Sequence, residues 1–206
     1  EAGKFDKSIS LLKKALALDV EDAHKLYLTL AAMYEKADLI DDAEKAYHEA
    51  IEREPESDLL YFYLGCFYDQ HSRRKEAARQ FAKAIEINPR NTDALNYLGY
   101  MYAEDGINLD EAVEMLKTAV EIEPDNGAYI DSLGWAYFKK GDINKALELV
   151  LKASLLLEDP VIYDHLGDIY YKQGLKDKAK EQWQKSLSID PDEEKVKEKI
   201  ERLKDE

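Results

Sequence analysis

The sequence predicts an all-α fold, an α-solenoid of stacked antiparallel helix hairpins. Three observations predict it: a short motif that recurs at near-constant spacing, apolar residues at helical intervals, and few helix-breaking residues. The 206 residues include only 5 prolines and 9 glycines. Self-similarity at a fixed period is the signature of repeat architectures. A hydrophobic content of 45% is typical of a folded chain.

The recurring motif is a Leu-Gly pair inside a helical pattern. Its glycines are Gly65, Gly99, Gly134 and Gly167, so the successive spacings are 34, 35 and 33 residues. Ala31 fills the same slot 34 residues before the first of them. A glycine inside a helix costs about 1 kcal/mol relative to alanine. Because alanine also serves, the slot requires a small residue that lets two helices approach closely.

The motif divides the chain into units that together form one continuous solenoid domain. The predicted units are the second helix of an incomplete hairpin at 1–23, five hairpins at 24–57, 58–91, 92–126, 127–159 and 160–193, and a capping helix at 194–206. Because the sequence starts inside a unit, we expect it to be a piece of a longer protein. The incomplete first unit should expose an apolar face or pair it with another molecule.

Each hairpin is predicted from two apolar stripes, shown most clearly in the last unit. Its first helix carries Tyr163, Leu166, Gly167 and Tyr170 at positions i, i+3, i+4 and i+7. Its second helix carries Ala179, Trp183 and Ser186, after a turn at Gly174. Pro191 then ends the helix, because proline cannot continue one. In the final segment, Val196, Ile200 and Leu203 share one face, as a capping helix requires.

These residues resemble the tetratricopeptide repeat, whose pattern is aromatic-x2-Leu-Gly-x2-Tyr, Ala-x3-aromatic and a closing proline. Tyr61, Leu64, Gly65, Tyr68, Ala77, Phe81, Ala84 and Pro89 carry the pattern nearly as well as the last unit. The resemblance implies a right-handed superhelix whose first helices line a concave groove that binds protein partners. The stretches "DSLGWAYFKKGD" and "DHLGDIYYKQG" are also similar to bacterial cell-envelope adaptors of this family, which favours the periplasmic side over the cytoplasm.

The sequence departs from the repeat pattern at three places. Asp38 and Ser72 stand where a turn glycine is usual. "GINLDEA" carries one extra residue, which we expect the turn between the helices to absorb. Glu158 replaces the closing proline in a unit one residue short, so the junction at "LLLEDP" should have a different angle.

The candidate binding surface lies one position beyond the packing stripe of each first helix. Its residues are Phe62, Cys66, Asp69, Asn96, Tyr100, Asp131, Trp135, Phe138, Asp164, Asp168 and Tyr171. Aromatic side chains provide contact area and carboxylates set a charge preference. The set predicts a groove for a basic or amide-rich peptide, with Trp135 as the main anchor. The alternative is that the aromatics pack between neighbouring first helices as ordinary core.

Other ligand classes are disfavoured. Some members of the family clamp an acidic chaperone C-terminus with lysines, an arginine and asparagines, but the matching positions here are Leu28, Ala32, Tyr63, Asp93 and Tyr97. The net charge of −15 argues against nucleic acid and anionic lipid as partners. No apolar run is long enough to insert into a membrane.

An enzyme is not expected. The four histidines, His24, His48, His71 and His165, are dispersed along the chain. Asp131, Asp164, His165 and Asp168 could form a metal or acid–base site, but carboxylates on a groove face are usually solvated. Cys66 has no nearby base, and neither a phosphate loop nor a nucleophile elbow is present. We therefore expect no cofactor and no metal.

The sequence favours a protein- or peptide-binding scaffold or adaptor. Two alternatives remain at this stage. The chain could assemble into homo-oligomers, using its exposed start or the groove of a neighbour, or it could be the regulatory portion of a larger enzyme.

Overall fold

The computed structural model describes residues 2–18 and 23–203, with side chains from Phe5 onward. Every regular element in these ranges is an α-helix. The helices are α1 Ala2–Leu16, α2 Ala23–Lys36, α3 Ile40–Arg53, α4 Asp58–Gln70, α5 Arg74–Ile87, α6 Thr92–Asp105, α7 Leu109–Ile122, α8 Gly127–Lys140, α9 Ile143–Leu156, α10 Pro160–Lys172, α11 Lys176–Ile189 and α12 Glu194–Arg202. The chain forms two compact units, residues 1–94 and residues 95–206, which are described separately.

In the unit 1–94, α2 packs against α3 and α4 against α5, and α1 packs on α2. Short turns join the helices of each hairpin. Asp38 and Ser72, with φ of 60° and 59°, adopt the left-handed conformation that a turn glycine would take. On α1, Ile9 is buried while Leu11 stays exposed.

The small residue of the motif sits where the two helices of a hairpin cross. A Cβ added to Gly65 would lie 2.6 Å from Cε1 of Phe81 on α5, which is closer than atoms can approach. In the unit 95–206, a Cβ on Gly134 would lie 2.5 Å from Cγ2 of Val150 on α9. Ala31 fills the slot in α2 and is fully buried. Close helix packing therefore explains why the sequence accepts a poor helix former.

In the unit 95–206, α8 packs on α9 and α10 on α11, while α10 also contacts α8 and α9. Leu116 of α7 lies against Gly99 of α6. The core between these helices is apolar and includes Ile130, Val150, Ile162, Leu166 and Ile169. The structure therefore confirms an all-α fold of stacked helix hairpins.

Two of the three departures from the repeat pattern lie in connections of this unit. The extra residue lies in the α6–α7 turn, where Gly106 and Asn108 have φ of 66° and 48°. After α9, Leu157 is extended, and Asp159 caps α10 by accepting a hydrogen bond of 2.8 Å from the Val161 backbone. Pro160 occupies the first position of α10, where the fixed φ of proline is compatible with a helix.

The short helix α12 covers the end of the last hairpin. Val196 is buried against Ala179 and Trp183 of α11, and Ile200 and Leu203 pack at the edge of this cluster. These are the three residues whose spacing predicts the apolar face of the helix. The other faces of α12 are charged, with Glu194, Lys195 and Glu198 exposed.

Candidate functional site

The three candidate residues in the unit 1–94 offer little free surface. Phe62 is only 9% exposed and its ring lies 5.8 Å from that of Phe81. Cys66 and Asp69 are half-buried. Burial, helped by the negative charge of Asp69, raises the pKa of the Cys66 thiol to about 12. The thiol is therefore protonated at neutral pH and is a poor nucleophile.

In the unit 95–206, candidate residues on α6 and α8 include two buried acceptor atoms. Asp131 is buried and its Oδ2 lies 2.9 Å from Nδ1 of His165 on α10. The other carboxylate oxygen, Oδ1, has no hydrogen-bond donor, and the same holds for Oδ1 of the half-buried Asn96. An unsatisfied buried acceptor costs about 1 to 3 kcal/mol. Both oxygens lie inside the fold and not on its exposed face.

Trp135 lies in an aromatic stack and is only 7% exposed. One face of its indole stacks on His165 at a centroid distance of 3.9 Å, and the ring also stacks with Phe138 at 4.8 Å. Its Nε1 donates a hydrogen bond to the Glu104 carboxylate. The ring of Tyr100 lies 6.3 Å from His165. The chain's own helices cover most of the indole, so Trp135 offers little surface to a ligand.

The negative charge of the Asp131 carboxylate holds the buried imidazole of His165 in place. Burial acts to lower its pKa, but the Asp131 carboxylate, with a smaller effect of Asp164 and Asp168, outweighs burial and raises the pKa above its ordinary value. The protonated ring is thus stabilised inside the stack with Trp135. The His165–Asp131 pair therefore forms part of the contact between α8 and α10.

The two acidic candidates on α10 are neutralised from within the chain. Lys199 of α12 donates to Asp164 at 2.7 Å and to Asp168 at 2.9 Å. Burial and the neighbouring Asp168 raise the pKa of Asp164, although Lys199 opposes this. Burial acts to lower the pKa of Lys199, but the two carboxylates outweigh it and the pKa is raised. The expected acidic character of the groove is reduced here.

The structure brings three of the candidate residues, Phe138, Asp168 and Tyr171, around one pocket of about 280 Å³. The remaining walls are Lys172 of α10, Trp183 of α11, and Lys199, Arg202 and Leu203 at the end of α12. Tyr171 is 40% exposed and its ring lies 5.8 Å from that of Trp183. Most of its lining surface is apolar, and we call its charged residues, Asp168, Lys172, Lys199 and Arg202, the rim.

The basic rim is the part of the site that sequence reasoning missed. Lys199, Arg202 and Leu203 follow the i, i+3, i+4 spacing of one helical stripe, so their common side could have been recognised. The predicted surface was drawn from first helices alone and did not include α12. Trp183 was assigned to the core, yet its ring also forms a wall of the pocket.

Three further features of the described residues bear on the predicted function: a second pocket, possible metal ligands and possible membrane spans. A second pocket, of about 320 Å³, lies between α1, α2 and α3 and contains none of the candidate residues. Within residues 2–18 and 23–203, no three His, Cys, Asp or Glu side chains converge as they would around a metal ion. In the same residues, no helix has the length and apolar character needed to cross a membrane.

Comparison with sequence families identifies the repeat. Residues 160–193 match a family model described as tetratricopeptide repeat, and residues 81–114 match a second model with the same description. The second match begins in α5 and ends in α7. No curated protein sequence matches the chain significantly.

Solved structures share the fold at low sequence identity. TTC0263, a thermophilic TPR protein of Thermus thermophilus, is 19% identical with a TM-score of 0.70, covering 88% of this chain and 98% of that one. YrrB, described as a TPR protein with an unusual peptide-binding site, is 22% identical with a TM-score of 0.69, covering 92% and 97%. The Cut9–Hcn1 structure of APC/C is 19% identical with a TM-score of 0.79, covering 98% of this chain and 40% of that one.

Proposed function

We propose that this chain, which carries tetratricopeptide repeats at residues 81–114 and 160–193, is a scaffold or adaptor that binds an amide-rich peptide segment of another protein. The fold is that of protein-interaction scaffolds, and such repeats are generally non-catalytic. The surface proposed for binding is the face of α6, α8, α10 and α12 in the unit 95–206.

The observation that carries the proposal is the pocket between α10, α11 and α12. Its volume of about 280 Å³ can accept one apolar side chain, and its walls include Phe138, Tyr171 and Trp183. Aromatic walls supply contact area with little loss of side-chain entropy. Binding sites are typically apolar concavities with a few polar groups that fix orientation. Phe138, Asp168 and Tyr171 also belong to the binding surface that the sequence predicts.

The polar groups around the pocket favour an amide-rich ligand over a strongly basic one. Asp168 supplies carboxylate acceptors to the wall of the pocket. Lys172 and Arg202 supply donors on the rim. The carboxylates of Asp164 and Asp168 are already paired with Lys199. An amide both donates and accepts, so it can satisfy groups of both kinds.

In the proposed mechanism, the protein binds the peptide noncovalently and catalyses no reaction. An apolar side chain of the peptide enters the pocket and displaces water from Tyr171 and Leu203. Neighbouring amides then hydrogen-bond to the rim, which fixes the register of the peptide. The existence of a described peptide-binding site in YrrB supports such a use of this fold.

The proposal is tested by selecting peptides from a random library on the immobilised protein. We expect the selected sequences to share one large apolar residue flanked by Asn or Gln. The variant Tyr171→Ala removes an exposed wall of the pocket and should weaken the selected peptides about tenfold. Selection of uniformly basic peptides that bind Tyr171→Ala equally well would contradict the proposal.

Leu59→Ala is the matched control. Leu59 is exposed to a similar extent, 46% against 40% for Tyr171, but lies on α4 and outside the pocket. Both variants should keep the helical content of the parent, because exposed side chains contribute little to the core. Equal loss of binding in both variants would show that the effect does not belong to the pocket.

A further inference from the structure

Five exposed apolar side chains lie close together in the sequence, where α9 ends and α10 begins. We call this surface the leucine edge; it consists of Leu151, Leu155, Leu156, Leu157 and Val161. Leu155 is the most exposed large apolar residue of the described chain, at 87%. A cluster of exposed apolar residues indicates an interaction surface. None of these residues lines the pocket of about 280 Å³ described above.

The leucine edge is specific to this repeat. The five second helices α3, α5, α7, α9 and α11 all have 14 residues, so their positions can be compared directly. Where α9 has Leu155, the others have Glu52, Glu86, Glu121 and Ser188. Where α9 is followed by Leu157, the others are followed by Glu54, Asn88, Glu123 and Asp190. Solvent-facing positions that are polar in every other repeat are thus apolar in α9.

Leu151 also differs from the residues at the same position of the other second helices. The equivalent residues on the other second helices are His48, Ala82, Lys117 and Gln184, of which none is a large aliphatic. Leu151 and Leu155 are four residues apart and lie on one face of α9. Both side chains are exposed, and neither belongs to the apolar core of this unit.

The charges around the leucine edge are mostly negative. Glu148 precedes it by one helical turn on α9, and Glu158 follows Leu157; both side chains are exposed. Leu157, directly after α9, lies so close to Gly127 at the start of α8 that a Cβ there would lie 2.7 Å from Cβ of Leu157. This contact places the loop with the exposed Asp125 beside the leucines. The nearby cation, Lys152, donates to the carbonyl of Pro124 at 3.1 Å.

We propose that the leucine edge binds an amphipathic segment of a partner protein, with apolar residues on one side and Lys or Arg beside them. Charge complementarity selects this occupant. A second copy of the chain would bring the same acidic rim and its own net charge of −15, so the two rims would repel. An anionic membrane would be repelled for the same reason. The proposal does not depend on the function of the pocket.

The test uses two synthetic peptides of about 14 residues, long enough for four helical turns. Both carry leucines on one face; one carries lysines elsewhere and the other glutamates. Binding is followed by fluorescence anisotropy with the intact chain. The variant Leu151→Gln/Leu155→Ser introduces the residues of α11 at these positions. We expect it to bind the lysine peptide about tenfold more weakly than the parent.

A second variant and a control separate surface chemistry from folding. Asp125→Asn/Glu158→Gln keeps the shape of the rim and should also weaken the lysine peptide, while Leu59→Ser, at an exposed leucine of α4, should not. Equal binding of the parent and the leucine variant would overturn the proposal, as would equal binding of the glutamate peptide. Sedimentation that shows a dimer in the parent and a monomer in Leu151→Gln/Leu155→Ser would assign the surface to a second copy and overturn the proposed occupant.

Discussion

The indole of Trp135 stacks on the imidazole of His165, with ring centroids 3.9 Å apart and planes inclined by 10°. The contact joins α8 to α10, and the indole also stacks with Phe138 at a centroid distance of 4.8 Å. The Asp131 carboxylate holds His165 in place from α8. An aromatic residue that looks like a ligand anchor in the sequence therefore acts inside the fold.

Replacing Trp135 should destabilise the chain. Trp135→Ala removes a side chain that is 7% exposed and leaves a cavity between His165 and Phe138. Such truncations cost about 3 to 5 kcal/mol. Chemical denaturation should show a lower free energy of unfolding, and Trp135→Phe should recover part of the loss. An unchanged midpoint in Trp135→Ala would show that the indole is not part of the core.

The His165–Asp131 pair should make stability depend on pH. Because the pKa of His165 is raised in the folded chain, the protonated pair stabilises the fold fully below the unfolded pKa of about 6.5. That stabilisation is lost as the pH rises through the folded-state pKa. Asp131→Asn should therefore cost about 3 kcal/mol at about pH 6 and less under alkaline conditions.

The measurement is the free energy of unfolding of the parent and Asp131→Asn at several pH values. His48→Gln provides the control, because the His48 side chain is 52% exposed. Its difference from the parent should stay small at every pH. A cost of Asp131→Asn that is constant with pH, or that grows as the pH rises, would contradict the assignment of a protonated His165.

Lys199 should anchor α12 to the last hairpin. Lys199→Gln leaves Asp164 and Asp168 half-buried without their cation, which should cost about 2 kcal/mol. Hydrogen exchange of α12 amides should become faster in this variant. Lys195→Gln, at an exposed position of the same helix, should leave exchange unchanged. Equal exchange rates in the two variants would show that the ion cluster does not hold the helix.

Replacing Ser72 with glycine should stabilise the fold. Its φ of 59° lies in the left-handed region, which costs a residue with a Cβ about 1 to 2 kcal/mol. Ser72→Gly should raise the free energy of unfolding by about 0.5 to 1 kcal/mol, since the unfolded chain also gains freedom. Ser57, with φ of −90° and no capping hydrogen bond from its side chain, gives the control Ser57→Gly. If thermal unfolding showed that Ser57→Gly stabilises the chain as much as Ser72→Gly does, the argument would be refuted.

The sequence predicted the repeating part of the fold well because helix spacing and the small crossing residue are local signals. The motif at Gly65 and Gly134 indicates where helices must approach, and the structure places Phe81 and Val150 there. The turn conformation at Asp38 could be anticipated from the glycines at matching positions. These features depend on residues that are close along the chain or one repeat apart.

The site was harder to predict because burial depends on neighbouring helices. Phe138 and Tyr171 occupy matching positions on α8 and α10, yet Phe138 is partly buried against Trp135 and Tyr171 is 40% exposed. The pairing of Lys199 with Asp164 joins residues 35 positions apart, across a capping helix that has no repeat to compare with. One position of offset on a helix decides whether a side chain enters the core or the groove.

The most direct test of the proposed scaffold function is an NMR footprint of a selected amide-rich peptide on the ¹⁵N-labelled chain. We predict that chemical-shift changes concentrate at the backbone amides of Phe138, Asp168, Tyr171 and Lys199, around the pocket of about 280 Å³. Tyr171→Ala should abolish these changes at the same peptide concentration. Changes confined to residues outside this pocket, or unaltered by Tyr171→Ala, would contradict the account.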